Sequence, residues 1–260
     1  MRNIPILHII PSLVLAFALQ AGPAGAQVPQ AMTEDQRDYE QCMRLVHADP
    51  DQAFEFALAW ADRGGQFPAR HCQAAALFSL QEYGEAATRF EKLAKDMEGR
   101  APASALADLL GHAGIAWQQA GEWDRANAAQ TAALSLVPGK VEIRIDRAMT
   151  LAQTGHFWEA IDELNLALEA QPDNGIALVL RGSAYRQVDA LDLALEDVNR
   201  ALAIVPDDPD ALLERGIVRR LQGNKDAARA DWLEVIRLHD GRPAADMARR
   251  NLELLDVKQE

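Results

Sequence analysis

Between residues 107 and 242 the apolar and small side chains fall into a pattern that repeats every 34 residues. The units run 107–140, 141–174, 175–208 and 209–242. Place eight of each holds Gly114, Ala148, Gly182 and Gly216, and place twenty holds Ala126, Ala160, Ala194 and Ala228. Bulky groups recur too, with Trp117, Leu151 and Tyr185 at place eleven and Trp123, Phe157 and Leu191 at place seventeen. Small residues at two fixed places let two helix axes approach, because a larger substituent on Cβ would push them apart. Place fifteen holds Gly121, Gly155, Asp189 and Gly223, and glycine there supplies the left-handed backbone that ends a helix. Pro138, Pro172 and Pro206 close the first three units. The pattern predicts two helices and one tight turn per unit.

This arrangement resembles the tetratricopeptide repeat, whose units are helix–turn–helix pairs of 34 residues ending in proline. Unit 175–208 matches best, with Gly182, Tyr185, Ala194, Ala201 and Pro206 on pattern. A degenerate unit, 67–100, keeps Ala74, Leu77, Tyr83, Ala86 and Phe90 but lacks the proline, and six residues, 101–106, separate it from the regular array. The last unit departs at Arg219, in the tyrosine place, and at Asp240, where proline is expected; end repeats are often atypical because they terminate the stack. The resemblance implies an all-α fold, a right-handed α-solenoid of helical hairpins.

Flanking segments extend this reading. An N-terminal extension, 27–66, contains a predicted hairpin of helices over 33–48 and 50–64. Asp49 is placed to cap the second, Pro50 suits its first position, Gln52 can reach back, and Gly64-Gly65 ends it. At the other end, 243–260 reads as a capping helix and tail. Ala244, Met247, Ala248, Leu252 and Leu255 are expected to cover the last repeat, with Arg249 and Arg250 facing solvent.

The charges carry their own repeat. Arg147, Arg181 and Arg215 occupy place seven of units two to four, and Glu163, Asp197 and Asp231 occupy place twenty-three. The first unit has Ala113 and Ala129 at both places, so the two charges come and go together. Ion pairs within each hairpin account for this better than an anionic ligand does, since pairing is how a charge near a helix interface is tolerated.

Composition narrows the function classes. A formal net charge of -13 argues against a nucleic-acid partner, which needs clustered Lys and Arg. Residues 1–26 have the layout of a cleaved secretory signal: Arg2, an apolar stretch from Ile4 to Leu19, then Ala24 and Ala26 in an A-x-A arrangement, with cleavage expected after Ala26. The apolar stretch is shorter than the ~20 residues of a spanning helix. No stable membrane insertion is expected after cleavage, and a periplasmic or secreted location follows. Cys42 and Cys72 are the two cysteines, and an oxidising compartment favours a disulfide between them. Free thiols, or a metal site adding His47 and His71, are the alternatives; their spacing matches no usual zinc pattern.

No motif for nucleophilic catalysis, phosphate binding or dinucleotide binding occurs, and the histidines at 47, 71, 112, 156 and 239 lack metal-ligand spacing. The chain therefore reads as a non-enzyme needing no cofactor or metal. Stacked helix pairs leave an extended inner face, and in tetratricopeptide proteins the first helix of each unit lines it. The resemblance thus implies a groove including Glu142, Ile145, Met149, Ile176, Val179, Ser183, Arg186, Asp210, Leu213, Ile217 and Arg220. A row of apolar groups flanked by charges suits an extended peptide or amphipathic helix of a protein partner. Two other roles fit the same array: a structural subunit or spacer of an envelope assembly or secretion system, and a glycan- or small-molecule-binding protein with or without enzymatic activity.

Overall fold

The computed structural model of the protein describes residues 32–257. Residues from Glu34 on form one compact unit, and the expected signal through Ala26 lies outside the described residues. Among the described residues all regular structure is helical. The helices come in hairpins: α1 Glu34–Ala48 with α2 Pro50–Trp60, α3 Gln66–Ser79 with α4 Tyr83–Asp96, and α5 Ala103–Gln119 with α6 Trp123–Leu136. Then follow α7 Val141–Gln153 with α8 Phe157–Ala170, α9 Gly175–Gln187 with α10 Leu191–Ile204, and α11 Pro209–Leu221 with α12 Lys225–His239. A single helix, α13 Pro243–Val257, closes the stack. Each helix packs on the next in sequence, the arrangement of an α-solenoid.

The repeated small residues mark where helices nearly touch. A Cβ on Gly114 would stand 2.6 Å from the Gln130 side chain, and one on Gly182 would stand 2.9 Å from Val198. One on Gly216 would overlap the Trp232 ring. Gln130, Val198 and Trp232 all occupy place twenty-four, so place eight is small because the second helix lays a large side chain across it. The turns are equally regular. Gly121, Gly155 and Gly223 have φ of +75°, +81° and +86°, and Asp189 takes the same left-handed conformation at +61°. The turn between α3 and α4 uses Gln81 at +65°, a residue with no special tolerance for that region.

Arginines of the first helices clamp the hairpins. Arg181 reaches both carboxylate oxygens of Asp197 at 2.7 Å and donates to Asn165 of the preceding hairpin at 2.8 Å. Arg215 pairs with Asp231 at 2.7 Å and reaches back to Asn199 at 3.4 Å. Arg147 pairs with Glu163 at 2.6 Å and donates to Asn127 at 3.0 Å. Each guanidinium therefore binds its own hairpin and stitches it to the one before. Three further arginines, outside the repeated place, reach these carboxylates, Arg200 lying 3.6 Å from Asp197. Arg144 also reaches Glu163, and Arg219, the residue in the tyrosine place, also reaches Asp231, each at 2.7 Å.

The N-terminal hairpins depart from the rule. The Asp49 carboxylate accepts from the Gln52 backbone N–H, and Pro50 opens α2. As expected, the helix breaks at Gly64-Gly65: Gly64 takes φ +103°, outside the helical region, and the chain kinks there, with Gln66 at φ +35°, before α3 runs on. Gly65 lies against the Trp60 indole, where any Cβ would overlap the ring. Cys42 on α1 and Cys72 on α3 form a disulfide with Cα atoms 6.2 Å apart, and both are fully buried with Val46, Ala53, Ala57, Trp60 and Ala76. The cysteines therefore have no role as metal ligands or free thiols here. Residues 103–106, expected to separate repeats, are instead an added first turn of α5, with Leu106 buried.

At the C-terminus Ala244, Ala245, Ala248 and Leu255 of α13 are buried and Leu252 packs against the same core. Met247, expected in that stripe, is 44% exposed because it sits on the flank of the helix rather than in line with Ala244 and Ala248. Arg249 is not free in solvent; it pairs with Asp240 and Asp246.

Candidate protein-binding face

The two sides of the array are not equivalent. First helices of successive hairpins touch, α5 with α7, α7 with α9 and α9 with α11, and no comparable contact joins the second helices. The stack is narrower on the first-helix side, which makes that side the inner face.

The eleven groove residues implied by the repeat divide sharply by depth. Ile145 and Leu213 are buried at 9% and 6% exposure, inside the core that runs from α7 to α13. Val179 and Ile217 are half-buried and pack onto it. Place five is therefore a core position, because the neighbouring first helix lies over it, and it offers no free apolar row. Place nine is more open at Met149, which is 46% exposed. Ser183 and Arg186 are half-buried, Glu142 and Asp210 are exposed, and Arg220 is half-buried. Ile176, at 67% exposure, faces the edge of the array and lines a cleft of about 570 Å³ with Pro172, Ile204 and Val205.

A crevice of about 270 Å³ opens beside Met149 between α7, α8 and α9. Met149, Gln153, Ser183 and Gln187 line it towards the surface, and Phe157, Ala160 and Leu164 line its depth. The mouth is polar and adaptable, and the floor is apolar.

Two bridges between first helices share one register. Gln118 on α5 lies 28 residues before Asp146 on α7 and donates to its backbone carbonyl at 2.7 Å and to the Thr150 hydroxyl at 2.7 Å. Arg186 on α9 lies 28 residues before Glu214 on α11, and its guanidinium pairs with the carboxylate itself. Glu214 thus has a built-in cation and Asp146 has an amide that bypasses its carboxylate. Burial, reinforced by Glu142 one turn earlier, pushes the Asp146 carboxyl up to about 6. Asp210 is raised as well, first by burial and then by Asp208, against a lowering by His239.

A second polar group on the first helices involves residues that sequence spacing left separate. The rings of His71 on α3 and His112 on α5 lie 5.8 Å apart, tilted by 53°, with the Tyr39 hydroxyl 3.1 Å from His71 Nδ1 and Phe90 edge-on to His71. Burial, then the neighbouring His112, holds His71 down at about 4. Burial also lowers His112, opposed by Asp108 and aided by Lys140. Among the described residues no group of three or more His, Cys, Asp or Glu is arranged to hold a metal ion.

Known proteins share this architecture. Tetratricopeptide repeat protein 36 of Bos taurus is 33% identical over 114 residues, which are 42% of this chain and 58% of that protein. DnaJ homolog subfamily C member 3 of Mus musculus is 26% identical over 123 residues, 47% of this chain and 24% of that protein. The chain thus spans well under two thirds of the curated relatives it matches. Among solved structures, a MamA protein aligns with a TM-score of 0.57 at 16% identity, over 67% of this chain and 92% of that one. YrrB, described as a TPR protein with an unusual peptide-binding site, aligns at 0.55 and 18% identity, over 74% and 96% of the two chains. Those likenesses concern the fold alone. Tetratricopeptide repeat family models match residues 114–184 and 179–248, together more than half of the 260-residue chain, and the chain belongs to the tetratricopeptide repeat family.

Proposed function

We propose that this protein is a non-enzymatic periplasmic scaffold or adaptor that holds a peptide or helical segment of another protein along the row formed by α5, α7, α9 and α11. The observation that carries the reading is Met149, a large flexible apolar side chain left 46% exposed at the mouth of the α7–α8–α9 crevice. Ile145, one turn earlier on the same helix, is sealed in the core, as is Leu213 at the matching place of α11. Methionine adapts its shape to varied partners, and a polar-rimmed crevice with an apolar floor is a seat for an anchoring side chain. The peptide-binding site ascribed to YrrB supports a peptide as the occupant. Export is supported by the signal-like residues 1–26 and by the Cys42–Cys72 disulfide, a bond that persists in oxidising compartments. Among the described residues no helix is long and apolar enough to cross a membrane.

Plugging the crevice tests the holding role. Ser183→Tyr and Met149→Asp proteins, each checked for an unchanged thermal melt, should lose short peptides selected on the wild-type protein. Retention of those peptides by both folded variants refutes the inner-face reading. For location, the mature chain recovered from a periplasmic fraction should begin at Gln27; full-length protein confined to the cytoplasm would refute export.

A further inference from the structure

Every strongly buried carboxylate of the regular array is met by an arginine of the same chain. Glu163 has Arg144 and Arg147, Asp197 has Arg181, Asp231 has Arg215 and Arg219, and Glu214 has Arg186. Asp146, less deeply buried than these, has no such partner. It is half-buried on the inner face, and among the described residues no hydrogen bond or ion pair reaches its carboxylate. At the register where Arg186 serves Glu214, the residue facing Asp146 is Gln118, and its amide is used on a backbone carbonyl and on Thr150. Glu142, exposed and one turn earlier on the same helix, adds a second negative charge beside it, and among the described residues no ion pair reaches Glu142 either. Met149 follows one turn on the other side and opens into the apolar crevice.

We infer that Asp146 and Glu142 form an anionic seat for a lysine or arginine of the held segment, whose neighbouring apolar side chain enters the crevice beside Met149. The occupant is thus a basic–apolar stretch of a partner protein. A long cationic side chain suits the geometry, since its methylenes can lie along Met149 while its head reaches the carboxylates. Desolvated opposite charges attract far more strongly than exposed ones, so Asp146 should contribute more than Glu142. The chain's net charge of -13 steers the same class of partner towards it. This inference rests on the holding role of the inner face, and its test separates the two.

Random peptides displayed on phage are selected on the intact mature protein and, in parallel, on Asp146→Asn and Gln118→Arg proteins. Wild-type selections should enrich Lys or Arg next to apolar residues. Asp146→Asn selections should keep the apolar residues and lose the basic ones, and a synthetic basic peptide selected on the wild type should bind that variant about tenfold more weakly. Gln118→Arg should weaken the same peptide similarly, because it installs the internal cation that Arg186 provides for Glu214. Apolar peptides without basic enrichment on the wild type, or equal binding of a basic peptide to Asp146→Asn, would overturn the anionic seat and leave the holding role standing. Failure to enrich any peptide over the bare support would remove the holding role and this inference with it.

Discussion

The two ends of the array join their hairpins by different chemistry. From α7 to α12 the joints are ionic: an arginine at the same place in each hairpin grips a carboxylate on its own second helix and an asparagine on the hairpin before. From α1 to α4 such a ladder is missing among the described residues. At the matching places Gln73 accepts from Arg89 and donates to the Ala57 carbonyl of the hairpin before, and beside this clamp stand a disulfide, a tryptophan pressed on a glycine, and aromatic contacts among Tyr39, His71, Phe90 and His112. A repeated joint lets each hairpin sit on the next in the same way. A covalent joint with apolar filling fixes one particular hairpin where the stack would otherwise fray.

Removing one charge from the ionic half should produce the largest loss. Arg181→Met leaves Asp197, 2% exposed, with only the more distant Arg200 at 3.6 Å, and breaking a buried pair in this way costs up to about 3–5 kcal/mol. Urea unfolding should show that loss, and adding Asp197→Leu should recover most of it. A single variant as stable as wild type would show that the ladder is not what joins the hairpins.

The covalent half should respond differently to loss of its bond. Cys42→Ala with Cys72→Ala opens a link between residues 30 apart, worth roughly 3–4 kcal/mol on the chain-entropy account. The loss should be local, with amide exchange speeding up in α1 and α2 while α9 to α12 stay protected. Uniform acceleration across the chain would mean that the halves are one cooperative unit.

Acid should pick out the same N-terminal half. His71 is held near 4 in the fold against an ordinary 6.5, so it stays neutral there while the unfolded chain takes up a proton. Its contribution is full above pH 6.5 and is lost as pH falls from 6.5 towards 4, amounting to about 2 kcal/mol by pH 5. Exchange in α1 and α3 at pH 5 against pH 7 should report it, and His71→Gln should flatten the dependence. A flat profile in the wild-type protein would show that the ring is hydrated.

The contrast also explains how much could be read beforehand. Ion pairs were legible because Arg and Asp or Glu appear and vanish together at places seven and twenty-three, as Ala113 and Ala129 show by lacking both. The left-handed turn at Gln81 was not, since nothing in a glutamine announces φ of +65°. His71 and His112 were not matched because the inserted residues between the repeats shift the count, and only the structure shows them lengthening α5. For the groove implied by the resemblance, the repeat pattern named residues without fixing their depth. Ile145 and Met149 are one turn apart, yet the adjacent helix covers one and leaves the other open. Asp146 escaped notice because its meaning comes from comparison with Glu214, through the residues 28 positions earlier.

Asp146 gives the smallest and most selective way to sharpen the comparison. Its carboxyl is raised to about 6 from an ordinary 3.8, so between those values the fold holds a proton that the unfolded chain has released. Stability therefore falls as pH rises from about 4 to about 6 and stays lowered above that, the reverse of His71 over nearly the same window. Asp146→Asn should raise stability at pH 7 by about 1 kcal/mol, after allowance for solvent screening of a partly exposed group, and should change little at pH 4. Thermal melts at the two pH values measure the difference. A gain at pH 7 alone fits a carboxylate kept without a partner in the free protein, and saturating the wild type with a lysine-bearing peptide should lower its carboxyl NMR titration midpoint. Equal stability of the two proteins at pH 7 would show that water already compensates the charge, leaving a bound cation little to add.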